Sequence, residues 1–260
     1  MTKGQLIAVF ACLLLFAVLY FGLDTKSQQQ SAVEKSRAFV AESTGISSIK
    51  DAAQKSLSDE QRAIVALLDR ELSEATTDSM RVLALRTLSG RWYQFEQPAV
   101  AGYYAQQLAE LAREDEEAWS IAGTTYVLCI RQAKDEKVKQ FCANRAVMAF
   151  ENAISLDPDE VAHRVNLALT NVEYPPKDNP MKGILQLREL DQKYPQNPIV
   201  LSNLGRLAIQ TGQYAKAVER LEVAVAVDPE NKRLYCLLEQ AYNGAGESAK
   251  AADAGAKCQQ

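Results

Sequence analysis

Five cysteines and a single histidine are the residues of this chain best able to do covalent or metal chemistry. A thiolate can ligate a metal, attack a substrate or pair with a second cysteine. The first two roles need partners at set spacings, and those spacings are absent. No HExxH, GxxxxGKS/T, GxSxG or spaced pair of CxxC motifs occurs. His163 is the only imidazole, so no histidine-rich catalytic or metal set can form. Standing alone near a helix start, it reads as a surface or packing residue. Two acidic clusters, Glu114-Asp115-Glu116-Glu117 and Asp157-Pro158-Asp159-Glu160, hold carboxylates suited to acid–base work. Both fall where helices begin, and there carboxylates cap free backbone N–H groups and favour the positive end of the dipole. The residue types therefore point away from an enzyme, with no catalytic residue, cofactor or metal expected.

Composition narrows the class further. A chain of 260 residues, 47% hydrophobic and 24% charged, can bury the core of one or two domains. Twelve Gly and eight Pro are too few for a loop-rich β-sandwich of this size. Twenty-nine basic against 33 acidic residues leave a net charge of -4, which offers no electrostatic footprint for nucleic acid. Five Cys are too few for a small disulfide scaffold. What remains is an Ala- and Leu-rich, all-α protein.

Residues 5–23, QLIAVFACLLLFAVLYFGL, stand apart. Leu6 to Leu23 are 18 residues without a charge or Pro, and at ~1.5 Å per residue they make roughly 27 Å of helix, close to the bilayer hydrocarbon. The run is hydrophobic on every face, and Tyr20 and Phe21 close it where interfacial aromatics belong. A cleaved signal peptide would have a shorter apolar run and a small-x-small site, which only Thr25 and Ser27 loosely mimic. A lipoprotein signal fits worse, with Cys12 in mid-run behind Phe10. The expectation is one uncleaved transmembrane helix. Its orientation stays open: Lys3 on one side against Lys26, Lys35 and Arg37 on the other slightly favours a cytoplasmic domain, but long domains translocate regardless of such biases.

Residues 24–57 are polar, with Gln28-Gln29-Gln30 and scattered Ser, and read as a tether with some helix. At Ser58 the pattern sharpens. Ser58 followed by Gln61 matches a capping box, and Ile64, Leu67, Leu68 and Leu72 recur at helical spacing. Thr76-Thr77-Asp78 breaks that helix and can cap the next, which carries Leu85, Leu88 and Trp92. Gln97-Pro98 opens a third, with Val100, Tyr104, Leu108 and Leu111 on one face. No segment sustains the period-2 pattern of a strand.

Self-similarity follows. In Pro198–Asn231, Leu201, Leu204, Gly205 and Ala208 mark a first helix. Gly212 and Tyr214 mark a turn, and Ala217, Leu221, Ala224 and Pro229 mark a second helix and its stop. This segment resembles the tetratricopeptide repeat (TPR), two antiparallel helices in 34 residues. Gly205 and Ala217 let the two helices approach closely, and Pro229 ends the second. Tyr235, Leu238, Tyr242, Gly246 and Ala251 repeat the pattern one unit later. Upstream, Leu167, Ala168, Gly183, Leu187, Leu190 and Pro195 outline a unit with a long turn. Trp119, Gly123, Tyr126, Ala146, Phe150, Ala153 and Pro158 outline another, lengthened around QAKDEKVKQF. The stretch 82–115 is a degenerate copy in which Ser89 replaces the small Gly or Ala. The aromatics of these units sit at core positions. The expected organisation is an anchor at 5–23, a tether at 24–57, a helical lead-in at 58–115 and repeats at 116–160, 161–197, 198–231 and 232–258, which together make a TPR-type α-solenoid of helix hairpins. The whole is similar to membrane-anchored bacterial TPR proteins, and the extended hairpin and NPMKGI turn resemble one such bacterial family without an assigned role.

That resemblance implies a concave face built from the first helices, which binds a protein or peptide partner. Repeat position places Ser120, Thr124, Val165, Asn166, Leu169, Ser202, Asn203, Arg206 and Gln240 there. Asn166 and Asn203 are equivalent, and paired amides can hold an extended backbone; the alternative is that both are merely solvated. TPRs that clamp a C-terminal carboxylate use two Lys, but Ala162, Val165, Ile199 and Ser202 occupy those positions, so that clamp is not expected.

The four cysteines outside the anchor fall into two symmetric pairs. Cys129 and Cys142 flank the expected turn at 135–136, and Cys236 and Cys258 flank the turn at Gly244–Ser248. Each pair joins two antiparallel helices within Cα reach of a disulfide. The alternative is four small buried thiols in place of Ala. Disulfides would put the repeats in the periplasm, on a single-pass protein of the bacterial inner membrane. The function expected is a membrane-tethered scaffold or assembly factor. A homo-oligomerisation module, or an accessory subunit in protein export or cytochrome c maturation, are the alternatives.

Overall fold

The computed structural model describes residue 5 and residues 45–259. The expected anchor at 5–23 therefore lies outside the described residues apart from Gln5, as do tether residues 24–44. Among the described residues no helix is long and apolar enough to cross a membrane. The chain divides into two compact units, 1–48 and 49–260. The helix α1 over 45–56 crosses that boundary, and its residues 49–56 belong to the second unit.

Among the described residues, eleven further helices follow α1. They are α2 (Asp59–Glu74), α3 (Asp78–Gln94), α4 (Pro98–Leu111), α5 (Glu116–Gln132), α6 (Glu136–Leu156) and α7 (Val161–Glu173). Then come α8 (Lys182–Lys193), α9 (Pro198–Gln210), α10 (Tyr214–Val227), α11 (Lys232–Ala245) and α12 (Ser248–Gln259). From α2 onward each helix packs on the next, and α5, α7, α9 and α11 also touch in sequence, so the hairpins stack with their first helices on one side. A lone hairpin leaves an apolar face in water, and stacking covers it.

Local chemistry sets the helix starts. Ser58 and Gln61 form the reciprocal capping box at α2, with bonds of 3.0 and 3.2 Å. Thr77 caps α3 and Pro98 stands in the first turn of α4. The acidic clusters do the same work: Asp115 accepts from Ala118 N, Glu160 accepts from Ala162 N, and Asp157 accepts from the N–H groups of Asp159 and Glu160. The lengthened hairpin is real, with 17 residues in α5 and 21 in α6.

The aromatics expected in the core are there. Trp92, Tyr126 and Phe150 are fully buried, and Trp119 and Tyr242 nearly so. His163 is buried too and packs inside the solenoid; neither ring nitrogen has a hydrogen-bond partner among the described residues. Ser89, the misfit of the degenerate repeat, is explained by a bond from its Oγ to the carbonyl of Ala101 on α4, 3.0 Å long.

Within the span read as a tether, Ala53 and Leu57 are buried in the same cluster as Val65, Leu88, Trp92 and Tyr104, with Ile49 packed against it. The spacing 49, 53, 57 is a helical stripe hidden among Ser, Gln and Lys.

At Gly183 in α8 the backbones of two helices approach closely. A Cβ there would meet the Ala168 carbonyl oxygen and the Val172 amide of α7, which are backbone atoms that no rotamer change can move aside. Gly183→Ala is therefore expected to destabilise the fold by about 1–3 kcal/mol despite the better helix propensity of Ala. Urea denaturation followed by circular dichroism checks it. A variant as stable as the parent would mean that α7 and α8 separate at little cost.

Candidate functional site

The first helices α5, α7, α9 and α11 enclose a groove of about 640 Å³. Asn166, Ser202, Asn203 and Arg206, all expected on the concave face, line it together. A second cavity of about 350 Å³ is lined by Tyr93, Thr124 and Leu128 and shares Arg131, Asn166 and Leu169 with the first. The two run into each other along the first helices, from α3 to α11.

The positions differ in what they can still bond. The Asn166 amide has no partner among the described residues. Asn203 Nδ2 donates to the carbonyl of Ile199 at 2.9 Å, which leaves its oxygen and one N–H free. The hydroxyls of Ser202 and Thr124 donate to their own helix backbones at 3.0 Å. Both asparagines are half-buried rather than fully exposed. Ser120 and Gln240 line neither cavity and stand outside the shared surface. Val165 is buried in the core between α7, α8 and α9 and presents nothing to the groove. Among the described residues no cluster of His, Cys, Asp or Glu could hold a metal ion.

Repeat position missed Arg131, Glu173 and Arg233. Nε and Nη2 of Arg131 donate to Glu173 Oε1 at 3.0 and 2.6 Å, tying the end of α5 to the end of α7 across the groove. Arg131 lies beyond the length of an ordinary first helix and enters the groove only because α5 is extended.

Outside the groove, Cys129 is bonded to Cys142 and Cys236 to Cys258, with Cα separations of 6.1 and 4.9 Å. Each bond ties the two helices of one hairpin, α5 to α6 and α11 to α12.

A sequence-family model described as Tetratricopeptide repeat matches residues 184–253, which span α8 to the first half of α12. Those residues are similar to tetratricopeptide repeats. The fold of the larger helical array is similar to that of TTC0263, a thermophilic TPR protein of Thermus thermophilus. That likeness has a TM-score of 0.50 and 19% identity, over 70% of this chain and 90% of that one. A looser likeness, with a TM-score of 0.41 and 18% identity, is to MamA of Desulfovibrio magneticus RS-1, over 71% of this chain and 96% of that one. The stacking explains why Asn166 and Asn203 share a groove: their helices, α7 and α9, lie side by side.

Proposed function

We propose that this TPR protein is a membrane-tethered scaffold or assembly factor whose concave groove holds an extended segment of another protein. The observation that carries the reading is the groove itself, where two equivalent, half-buried asparagines keep hydrogen-bonding capacity beside the apolar side chains of Leu169 and Ile199. Amides with one donor and one acceptor free match a peptide backbone. The apolar run at 5–23 supports a single-pass anchor in a bacterial inner membrane. The two disulfides support repeats that face the periplasm, because such bonds persist in oxidising compartments.

The test is cross-linking in intact membranes from a photoreactive residue at Ile199, in the groove. One dominant foreign protein is expected, and Asn166→Ala with Asn203→Ala is expected to weaken that complex by ~1–3 kcal/mol. Links only to other copies of the chain would replace the scaffold with an oligomerisation module. Full affinity in the double variant would remove the asparagines from the site.

A further inference from the structure

The groove is charged as well as concave. Arg131, Arg206 and Arg233, from α5, α9 and α11, all line it. Of its two carboxylates, Glu173 is ion-paired with Arg131, and Asp228 accepts a hydrogen bond from Asn231 Nδ2 at 2.9 Å. Among the described residues no carboxylate forms an ion pair with Arg206 or Arg233. Arg206 is half-buried on α9, and burial holds its guanidinium below the ordinary arginine value. The like charges of Arg131 and Arg233 push the same way, against the opposing pull of Glu173. A cation partly stripped of water and crowded by other cations gains from an anion placed beside it. The planar fork of a guanidinium matches a carboxylate with two parallel bonds.

We propose that the groove selects an acidic partner segment, with a carboxylate docking between Arg206 and Arg233 while Asn166 and Asn203 hold the adjoining backbone. This rests on the peptide-binding reading of the same groove and adds the chemistry of what it selects. The carboxylate belongs to an Asp or Glu side chain rather than to a chain terminus, because Ala162, Val165, Ile199 and Ser202 stand where a terminal-carboxylate clamp has its Lys.

A synthetic library of random dodecapeptides, made with free and with amidated C termini, distinguishes these sources when screened on the full-length chain. Retained peptides are expected to be rich in Asp and Glu. Enrichment in both forms is expected, and enrichment in the free form alone would place the carboxylate at the terminus and overturn the side-chain assignment. Arg206→Gln and Arg233→Gln are each expected to weaken acidic binders roughly 10-fold and to leave binders without acid unchanged. Arg233 is exposed, so its variant keeps the test valid if Arg206→Gln folds poorly. Retained peptides with no acidic bias, or acidic binders indifferent to both substitutions, would overturn this selectivity and leave the peptide groove standing. A library from which nothing is retained would overturn the groove and the selectivity together.

Discussion

Removing the Cys236–Cys258 bond, by reduction or by Cys236→Ala with Cys258→Ala, is expected to open the last helix while the rest of the solenoid stays folded. The reason is the poverty of α12. It buries only Ala251, Ala254 and Gly255, and alanine brings little apolar area to a core. Among the described residues its main neighbour is α11. The bond closes a loop with a sequence separation of 22, and in the chain-entropy model such a loop is worth about 3 kcal/mol. Helix α6 has more to hold it, since Phe150 and four alanines are buried there. Breaking Cys129–Cys142, which closes a separation of 13, is also expected to cost about 3 kcal/mol but to leave α6 formed. Reducing both is expected to lower the thermal midpoint by roughly 10 °C. Hydrogen exchange by peptide checks the local claim: protection in Ser248–Gln259 is expected to vanish in the Cys236/Cys258 double variant. Undiminished protection there would show that packing alone holds α12. Thiol labelling of the chain taken from cells without reductant is the companion measurement. If all four cysteines label, the bonds do not form in the cell and the periplasmic placement loses its main support.

A chain that begins at Ser58, where the sequence pattern sharpens, is expected to be less stable by about 4–6 kcal/mol than one that begins at residue 45. The shorter chain loses Ala53 and Leu57 from a buried cluster, and Ile49 from its edge, and uncovers Val65, Trp92 and Tyr104. It also breaks a partly buried polar network. Lys50 Nζ pairs with Asp69 Oδ2 at 3.0 Å and also donates to the Tyr104 hydroxyl, which in turn donates to Asp69. Burial, and then the hydrogen bond to Asp69, push the Tyr104 hydroxyl well above its ordinary value, so it stays a donor. Without Lys50 the Asp69 charge keeps a donor but loses its cation. Urea denaturation of the two chains, read by circular dichroism, makes the comparison. Equal midpoints would mean that residues 45–57 lie on the fold without supporting it.

The hairpins and most of the concave face are legible in the residue order, because both come from short-range chemistry. Gly205, Ala217 and Pro229 act on helices a few residues away, and the caps at Ser58, Thr77, Asp115 and Glu160 bond groups two or three positions on. Repetition of that unit then fixes which side chains recur on the first helices, and Asn166, Asn203 and Arg206 meet in one groove for that reason. Repetition does not encode the rest, which depends on how the helices meet in space. The stripe of Ile49, Ala53 and Leu57 is too sparse to read among polar neighbours, and it becomes core only where Leu88 and Trp92 meet it. The partnership of Lys50, Asp69 and Tyr104 spans 54 residues. Arg131 reaches the groove because one helix is longer than its repeat requires, and Arg233 because it opens the unit after Arg206. Which carboxylates are engaged and which guanidiniums are not follows from distances between helices, and the charge of the groove is therefore a property of the stack rather than of any one repeat.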